Sequence, residues 1–457
     1  MYESFKISDK DDAHIYVTAT RSDFFKDNKW IIKDLFEKSL LAKDGSYPLF
    51  DLQSELLGHI IVGDKARKKY LDLKDKRAKS LSNLAETKSS LEKIKHAQNH
   101  LESMQNNAEA ARLFVTQLRS IGDGIAWRFL KYDRASLRIL AEHDYIPPPE
   151  MERGLLEEIN EFARFASKGH PVLINSITNF LRVGDLTTYD ESSDRYDLIE
   201  VKAGNSQTLR TIRQSQYRDI VQKALDKGSH EIFPDIPITK TMSKSPLLTY
   251  AKSLENAMSE AEQKFASSRK FGEYLSIAVF STQKLLELSE NESARIRENT
   301  MDRLFSIGRQ RTDILLKPIT NVFLTVHFSR IIAPYTIFPI DPKFRIALLN
   351  GDFLIFSLIN LSGLIRWLEK RGWEATIITP PTNVPISYEY DHMPKVQFWQ
   401  HGSPRVAEVG ADLFYLATAE FWMPESIELD LITILEQPPS QGGYTINHPN
   451  KGKCAWQ

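Results

Sequence analysis

Residues 182–204 read RVGDLTTYDESSDRYDLIEVKAG. Val183, Asp185, Thr187 and Tyr189 alternate along a first strand, Val183 to Asp190. Leu198, Glu200 and Lys202 share one face of a second, Arg195 to Ala203, and Ile199, Val201 and Ala203 share the other. Glu191-Ser192-Ser193-Asp194 between them is a polar turn of the kind that joins antiparallel strands. With a loop of those four residues, Asp190 pairs with Arg195, and counting back sets Asp185 opposite Glu200. Directly opposed residues have Cβ atoms about 5 Å apart. Two carboxylates that close repel, and both stay ionised only with a cation between them. An oxygen-lined pocket suits Mg²⁺ or Mn²⁺. Lys202, on the same face, could hold a water or a phosphate oxygen. These are the parts of metal-assisted phosphodiester hydrolysis. The plainer alternative is a solvated hairpin with ordinary surface charges. Against it, Glu200 and Lys202 interrupt a strand that otherwise reads as buried.

Gly184-Asp185, a hairpin, and then Glu200-Val201-Lys202 on an apolar strand resemble the PD-(D/E)XK nuclease superfamily, which includes restriction endonucleases and RecB-like nucleases. The resemblance covers about twenty residues and is carried by a short, degenerate motif. Gly184 stands where the family name has proline. The resemblance implies a restriction-endonuclease-like α/β fold, a mixed sheet flanked by helices. It implies that Asp185, Glu200 and the Val201 carbonyl bind one or two Mg²⁺ ions, and that Lys202 orients water or neutralises developing charge. DNA is the implied substrate ahead of RNA, and restriction or anti-phage defence is the setting it suggests.

The chain has 457 residues, enough for two to four domains, with a net charge of −1. The whole molecule is therefore no polybasic nucleic-acid binder, and any DNA contact must come from local patches. One cysteine, Cys454, excludes a disulfide framework and a cysteine-based zinc site, so a reducing cytoplasm is expected. The charged start, MYESFKISDKDD, has no apolar stretch and no signal peptide is expected. The longest uncharged apolar run, Phe353 to Ile365, falls short of the roughly 18 residues of a membrane span. It reads as a buried helix, and no membrane is expected.

The expected organisation is a small region at 1–62, a long charged helix and helical region at 63–146, a nuclease-like domain at 150–345 and an α/β extension at 346–457. The first region has a strand candidate, His14 to Thr18, and a helical patch, Trp30 to Leu41. From Asp64, basic residues crowd one segment, and a helix runs to about Ser120. Its loose three–four spacing (Leu84, Leu91, Ile94, Leu101, Met104, Ala108) suggests a coiled coil or two-helix arm for homodimerisation or DNA contact. A solvated helix packed on its own protein is the alternative. Gly122-Asp123-Gly124 is expected to break that helix before a second, Trp127 to His143. Pro147-Pro148-Pro149 marks a boundary.

Glu150 to Ser167 reads as an amphipathic helix with Leu156, Ile159, Phe162, Ala163 and Ala166 as its buried stripe. Glu158 lies at the stripe's edge. Related nucleases place a further carboxylate on this helix, which makes Glu158 a candidate metal ligand beside its reading as a surface glutamate. A helix from Thr208 to Lys227 carries Arg210, Arg213, Gln214 and Tyr217, candidate nucleic-acid-binding residues. Gln214 and Tyr217 resemble the Gln and Tyr of RecB-like relatives, with one residue fewer between them; a simple basic helix surface is the alternative.

Further on, 229–245 reads as a loop, Leu247 to Ser268 and Gln283 to Lys317 as helices, and Tyr274 to Phe280 as a strand. Asn321 to Phe328, with His327, and Phe344 to Leu349 also read as strands. A helix capped by Asp352 is expected to end at Lys370-Arg371-Gly372, before a strand at Ala375 to Thr379. His392, His401 and His448 lack partners at metal-ligand spacing, and the Gly/Pro/Asn-rich tail from Gln437 reads as loosely ordered. A Walker A loop, GxGxxG, HExxH and GxSxG are all absent, which argues against motors, NAD enzymes, zinc proteases and α/β-hydrolases. The rival class is a non-enzymatic interaction or DNA-tethering protein that works through the long helix. A cleft in which Asp185, Glu200 and Lys202 converge would favour the enzyme.

Overall fold

The computed structural model describes residues 18–43, 46–86, 91–141, 155–181, 183–201, 209–227, 229–230, 238–306, 315–316, 332–378, 395–437 and 444–447. The chain is mixed α/β, with a helical N-terminal region and small, mainly antiparallel sheets. Helix α1 (Asp23–Leu41) starts at Ser22, whose side chain accepts the Phe25 N–H at 3.2 Å. It buries Phe25, Ile32, Leu35 and Phe36. Helices α2 (Tyr47–Glu86) and α3 (Leu91–Phe129) pack against each other along their length. They form the two-helix arrangement expected here, and α2 runs unbroken through positions 62 and 63. Of the expected strand at His14 to Thr18, residues 14–17 lie outside the described residues and Thr18 is helical.

Gly122-Asp123-Gly124 does not break the helix, because α3 continues to Phe129. Both glycines mark close approaches. A Cβ at Gly122 would lie 2.1 Å from the Ile177 carbonyl oxygen, and one at Gly124 2.3 Å from Thr336 Oγ1. The Thr336 hydroxyl donates to the Ser120 carbonyl at 3.1 Å. Packing outweighs the helix propensity that glycine forfeits. The helix expected to follow is the shorter α4 (Arg134–Ala141).

Helix α5 (Leu155–Ser167) leads into β1 (Val172–Ile174), a 3₁₀ turn (Asn175–Ile177), β2 (Leu186–Asp190), β3 (Arg195–Ile199) and α6 (Leu209–Lys227). Strands β1, β2 and β3 form an antiparallel sheet in that order. A glutamine side chain occupies each outer edge. On β1, Gln53 of α2 donates to the Val172 carbonyl at 3.1 Å and accepts the Ile174 N–H at 2.9 Å. On β3, Gln222 of α6 accepts the Leu198 N–H at 3.0 Å and donates to the Tyr196 carbonyl at 2.7 Å. Primary amides carry both a donor and an acceptor, so each satisfies a strand edge as another strand would.

The segment expected as a loop at 229–245 contains β4 (Ser229–His230) and β5 (Ile238–Met242), which pair antiparallel. Helix α7 (Ala251–Lys264) is shorter than read and yields to β6 (Ala266–Phe271), after which β7 (Leu275–Ser281) matches its expectation. Helix α8 (Glu290–Phe305) ends well before Lys317, and Leu315–Leu316 form β8. The expected strand at Asn321 to Phe328, with His327, lies outside the described residues. Phe344 to Leu349 is not a strand but part of α9 (Pro342–Leu349). Asp341 caps it by accepting the Lys343 N–H at 2.9 Å, with proline in the first turn, a start signal local to the sequence.

Phe353 to Ile365 is not one buried helix. It is strand β9 (Phe353–Asn360) and then α10 (Leu361–Glu369), capped by Asn360 rather than Asp352. Strand β9 lies inside the order β6-β7-β9-β8 and is buried on both faces. It therefore shows no alternation to separate it from a helix. The helix end was legible: Lys370 is its C-cap, and Gly372 has a φ of 86°. Strands β10 (Trp373–Ile378), β11 (Lys395–Gln400) and β12 (Ala407–Val409) form a separate sheet, and α11 (Ala411–Ala419) and α12 (Pro424–Glu436) follow. The tail is not wholly irregular, since β13 (Tyr444–Asn447) pairs parallel with β5. One contiguous cluster of buried apolar residues extends from the N-terminal helices to Leu431. No helix among the described residues is long and apolar enough to cross a membrane.

Candidate active site

The hairpin forms in the register expected from the four-residue turn. Asp190 pairs with Arg195 and Leu186 with Ile199, where the ladder ends, one step short of the expected Asp185–Glu200 pair. Local polar chemistry makes the turn. The Asp190 carboxylate accepts the Ser192 N–H and hydroxyl at 2.9 and 2.7 Å and the Ser193 hydroxyl at 2.8 Å. These bonds hold Asp190 below the usual carboxylate range.

Backbone bonds fix Asp185 from two sides. Its N–H donates to the Ile199 carbonyl at 2.8 Å, and its carbonyl accepts the Asn175 N–H at 2.9 Å. Its side chain is half-buried, and Oδ2 accepts the Val201 N–H at 2.6 Å. Burial pushes this carboxyl up, and the Val201 bond opposes that. Gly184, before it, has a φ of 72°, and a Cβ there would sit 3.0 Å from the Ile199 carbonyl oxygen. Here glycine supplies both left-handed backbone and close approach, needs that proline cannot meet.

Glu158 is not a surface residue at the edge of its helix but is 8% exposed. The buried stripe of α5 runs through Leu155, Glu158, Ile159, Phe162, Phe165 and Ala166, while Leu156, expected inside, is 68% exposed. The stripe is rotated from the reading centred on Leu156, which puts Glu158 at an interior position. The Ser176 hydroxyl donates to its Oε1 at 2.9 Å. Burial raises the Glu158 carboxyl to about 7, with further upward pushes from the negative charges of Asp185 and Glu200 and an opposing one from Ser176. Glu158 therefore lies within electrostatic reach of Asp185, just before β2, and of Glu200, just after β3.

Asn175 has no counterpart among the residues singled out from sequence. Fully buried, its amide donates to the carbonyls of Val183 and Gly184 at 2.9 and 3.2 Å, and its Oδ1 accepts the Thr187 hydroxyl at 2.8 Å. It clamps the backbone on which Asp185 stands. Its only sequence signal is an asparagine directly after an apolar strand.

Lys202 lies outside the described residues, as do Pro147-Pro148-Pro149, His392 and His448. Arg210, Arg213, Gln214 and Tyr217 fall on α6, which Gln222 docks against β3, but their side chains lie outside what is described. His401 is exposed, with Nδ1 2.8 Å from Glu374 Oε1.

Asp185, Glu200 and the Val201 carbonyl would hold a divalent cation. All are oxygen donors of the kind Mg²⁺ and Mn²⁺ take. Burial is the main cause of the raised Asp185 and Glu158 carboxyls, and a bound cation would favour their ionised forms. No group of three or more His, Cys, Asp or Glu side chains among the described residues is arranged to hold a metal ion. No protein-family model, curated protein or solved structure matches the chain.

Proposed function

We propose that the chain is a metal-dependent nuclease that hydrolyses DNA phosphodiester bonds, with a restriction-endonuclease-like fold around the hairpin. The observation that supports this best is the buried Glu158, whose carboxyl feels the charges of Asp185 and Glu200 beside the β2–β3 hairpin. A surface hairpin would leave such acids apart and solvated. A divalent cation bound by Asp185, Glu200 and the Val201 carbonyl would supply Lewis-acid activation of water and neutralise charge on the phosphate. The Val201 amide holds the Asp185 carboxylate in one orientation, so little reorganisation is needed when a substrate arrives. Lys202 orients the attacking water or offsets charge on the phosphoryl oxygens. Restriction or anti-phage defence is the setting that the resemblance implies.

The test is cleavage of plasmid DNA with Mg²⁺ or Mn²⁺ by the native protein and by Asp185→Asn and Lys202→Ala. The reading expects nicking or linearisation by the native protein and its loss in both variants, with circular dichroism unchanged. Cleavage that survives both substitutions would remove the hairpin from the chemistry.

A further inference from the structure

We propose that the solvent face of α2 is a duplex-DNA-binding surface on which Lys65, Lys68, Lys69, Lys76 and Lys79 contact backbone phosphates. The five lysines follow one helical stripe at offsets of 3, 4, 11 and 14 residues from Lys65. All are exposed. Asp72 lies within the stripe, and Asp75, four residues before Lys79, lies at its edge. Among the described residues no ion pair engages any of the five, and the acid just before them, Asp64, lies 3.8 Å from Arg119 of α3. At about 1.5 Å per residue the stripe is ~21 Å long. Over that length a duplex presents about twelve phosphate charges, one per ~1.7 Å of axis.

The rest of α2 says what kind of anion fits. Its apolar side is already covered. A Cβ at Gly63 would lie 2.6 Å from a Val115 methyl of α3, and the Tyr70 ring packs edge-on against Phe24 at 6.0 Å. An interfacial membrane helix needs a free apolar face beside its basic one, and among the described side chains of α2 only the isolated Tyr47 and Val62 are large, apolar and exposed. A straight row of cations on a packed helix suits the regular phosphates of a duplex better than the headgroup layer of a bilayer. The same helix holds the candidate site, because Gln53 is hydrogen-bonded to β1. Lys65 follows Gln53 by about 18 Å of continuous helix. The arm would thus retain DNA near the hairpin, and its binding does not depend on the nuclease reading.

The experiment is fluorescence anisotropy with a mixed-sequence duplex of about 30 base pairs, with chelator and in the Asp185→Asn background, between about 50 and 200 mM salt. Replacing all five lysines by glutamine should reduce the slope of log K against log salt by up to about 4.5, at about 0.9 for each phosphate no longer neutralised. The pair Lys76→Gln and Lys79→Gln alone should reduce it by up to about 1.8. Arginine at the five positions should restore the native slope. An unchanged slope in the glutamine variants would overturn the proposal. So would a protein that ignores the duplex but binds vesicles of phosphatidylcholine and phosphatidylserine. Duplex binding by a native protein that shows no Mg²⁺-dependent cleavage would leave the arm standing and count against the nuclease.

Discussion

Glu158→Gln should stabilise the protein at pH 8 and have little effect at pH 5. The side chain is buried, and its carboxyl is raised from 4.5 to about 7 by burial and by Asp185 and Glu200. In the unfolded chain it titrates near its ordinary value. Between those two pH values the folded state binds more protons than the unfolded state. Stability conferred by the neutral acid is therefore complete below about 4.5 and lost as pH rises through about 7. At about 1.36 kcal/mol per pH unit, the gap corresponds to ~3 kcal/mol. Glutamine keeps the shape and can still accept the Ser176 hydroxyl, but it cannot ionise. The assay is thermal unfolding of both proteins in chelator across pH 5 to 8. The variant's advantage should open with rising pH and reach a melting temperature several degrees above the native protein by pH 8. Parallel pH profiles would refute the claim that Glu158 is buried beside two further acids.

Two other substitutions probe the scaffold. Asn175→Ala strands the Thr187 hydroxyl and removes the donors to Val183 and Gly184. It should cost about 2 to 4 kcal/mol in urea unfolding, and it should weaken Mg²⁺-dependent activity, whereas loss of an isolated surface bond would cost under about 1 kcal/mol. Gly122→Ala drives a methyl against the Ile177 carbonyl. It should destabilise the protein by at least about 2 kcal/mol despite alanine's better helix propensity, and a gain in melting temperature would contradict the close approach.

The hairpin was legible because everything that makes it is local. Its alternation, the Asp190 turn with its serines and the count back to Asp185 all lie within about twenty residues. The buried acid of α5 was nearly legible. Leu155, Glu158, Ile159 and Phe162 spell the buried face of that helix, but Leu156 and Ala163 spell a competing one, and only packing chooses between them. Strand β9 was misread because double burial erases its period. The glycines of α3 were misread because their cause is the Ile177 carbonyl and Thr336, far along the chain. Gln53 and Gln222 could not have been found from pattern, since each answers a strand edge that exists only after folding; Gln53 lies 119 residues from its partner Val172.

The most direct measurement of the central claim, that Asp185 and Glu200 share one cation, is Mn²⁺ binding followed by electron paramagnetic resonance, which needs no substrate and no activating partner. Native protein should bind Mn²⁺ displaceably by Mg²⁺. Asp185→Asn and Glu200→Gln should each weaken that binding at least about tenfold, or ~1.4 kcal/mol. Equal binding by all three proteins, or none by the native one, would contradict the account.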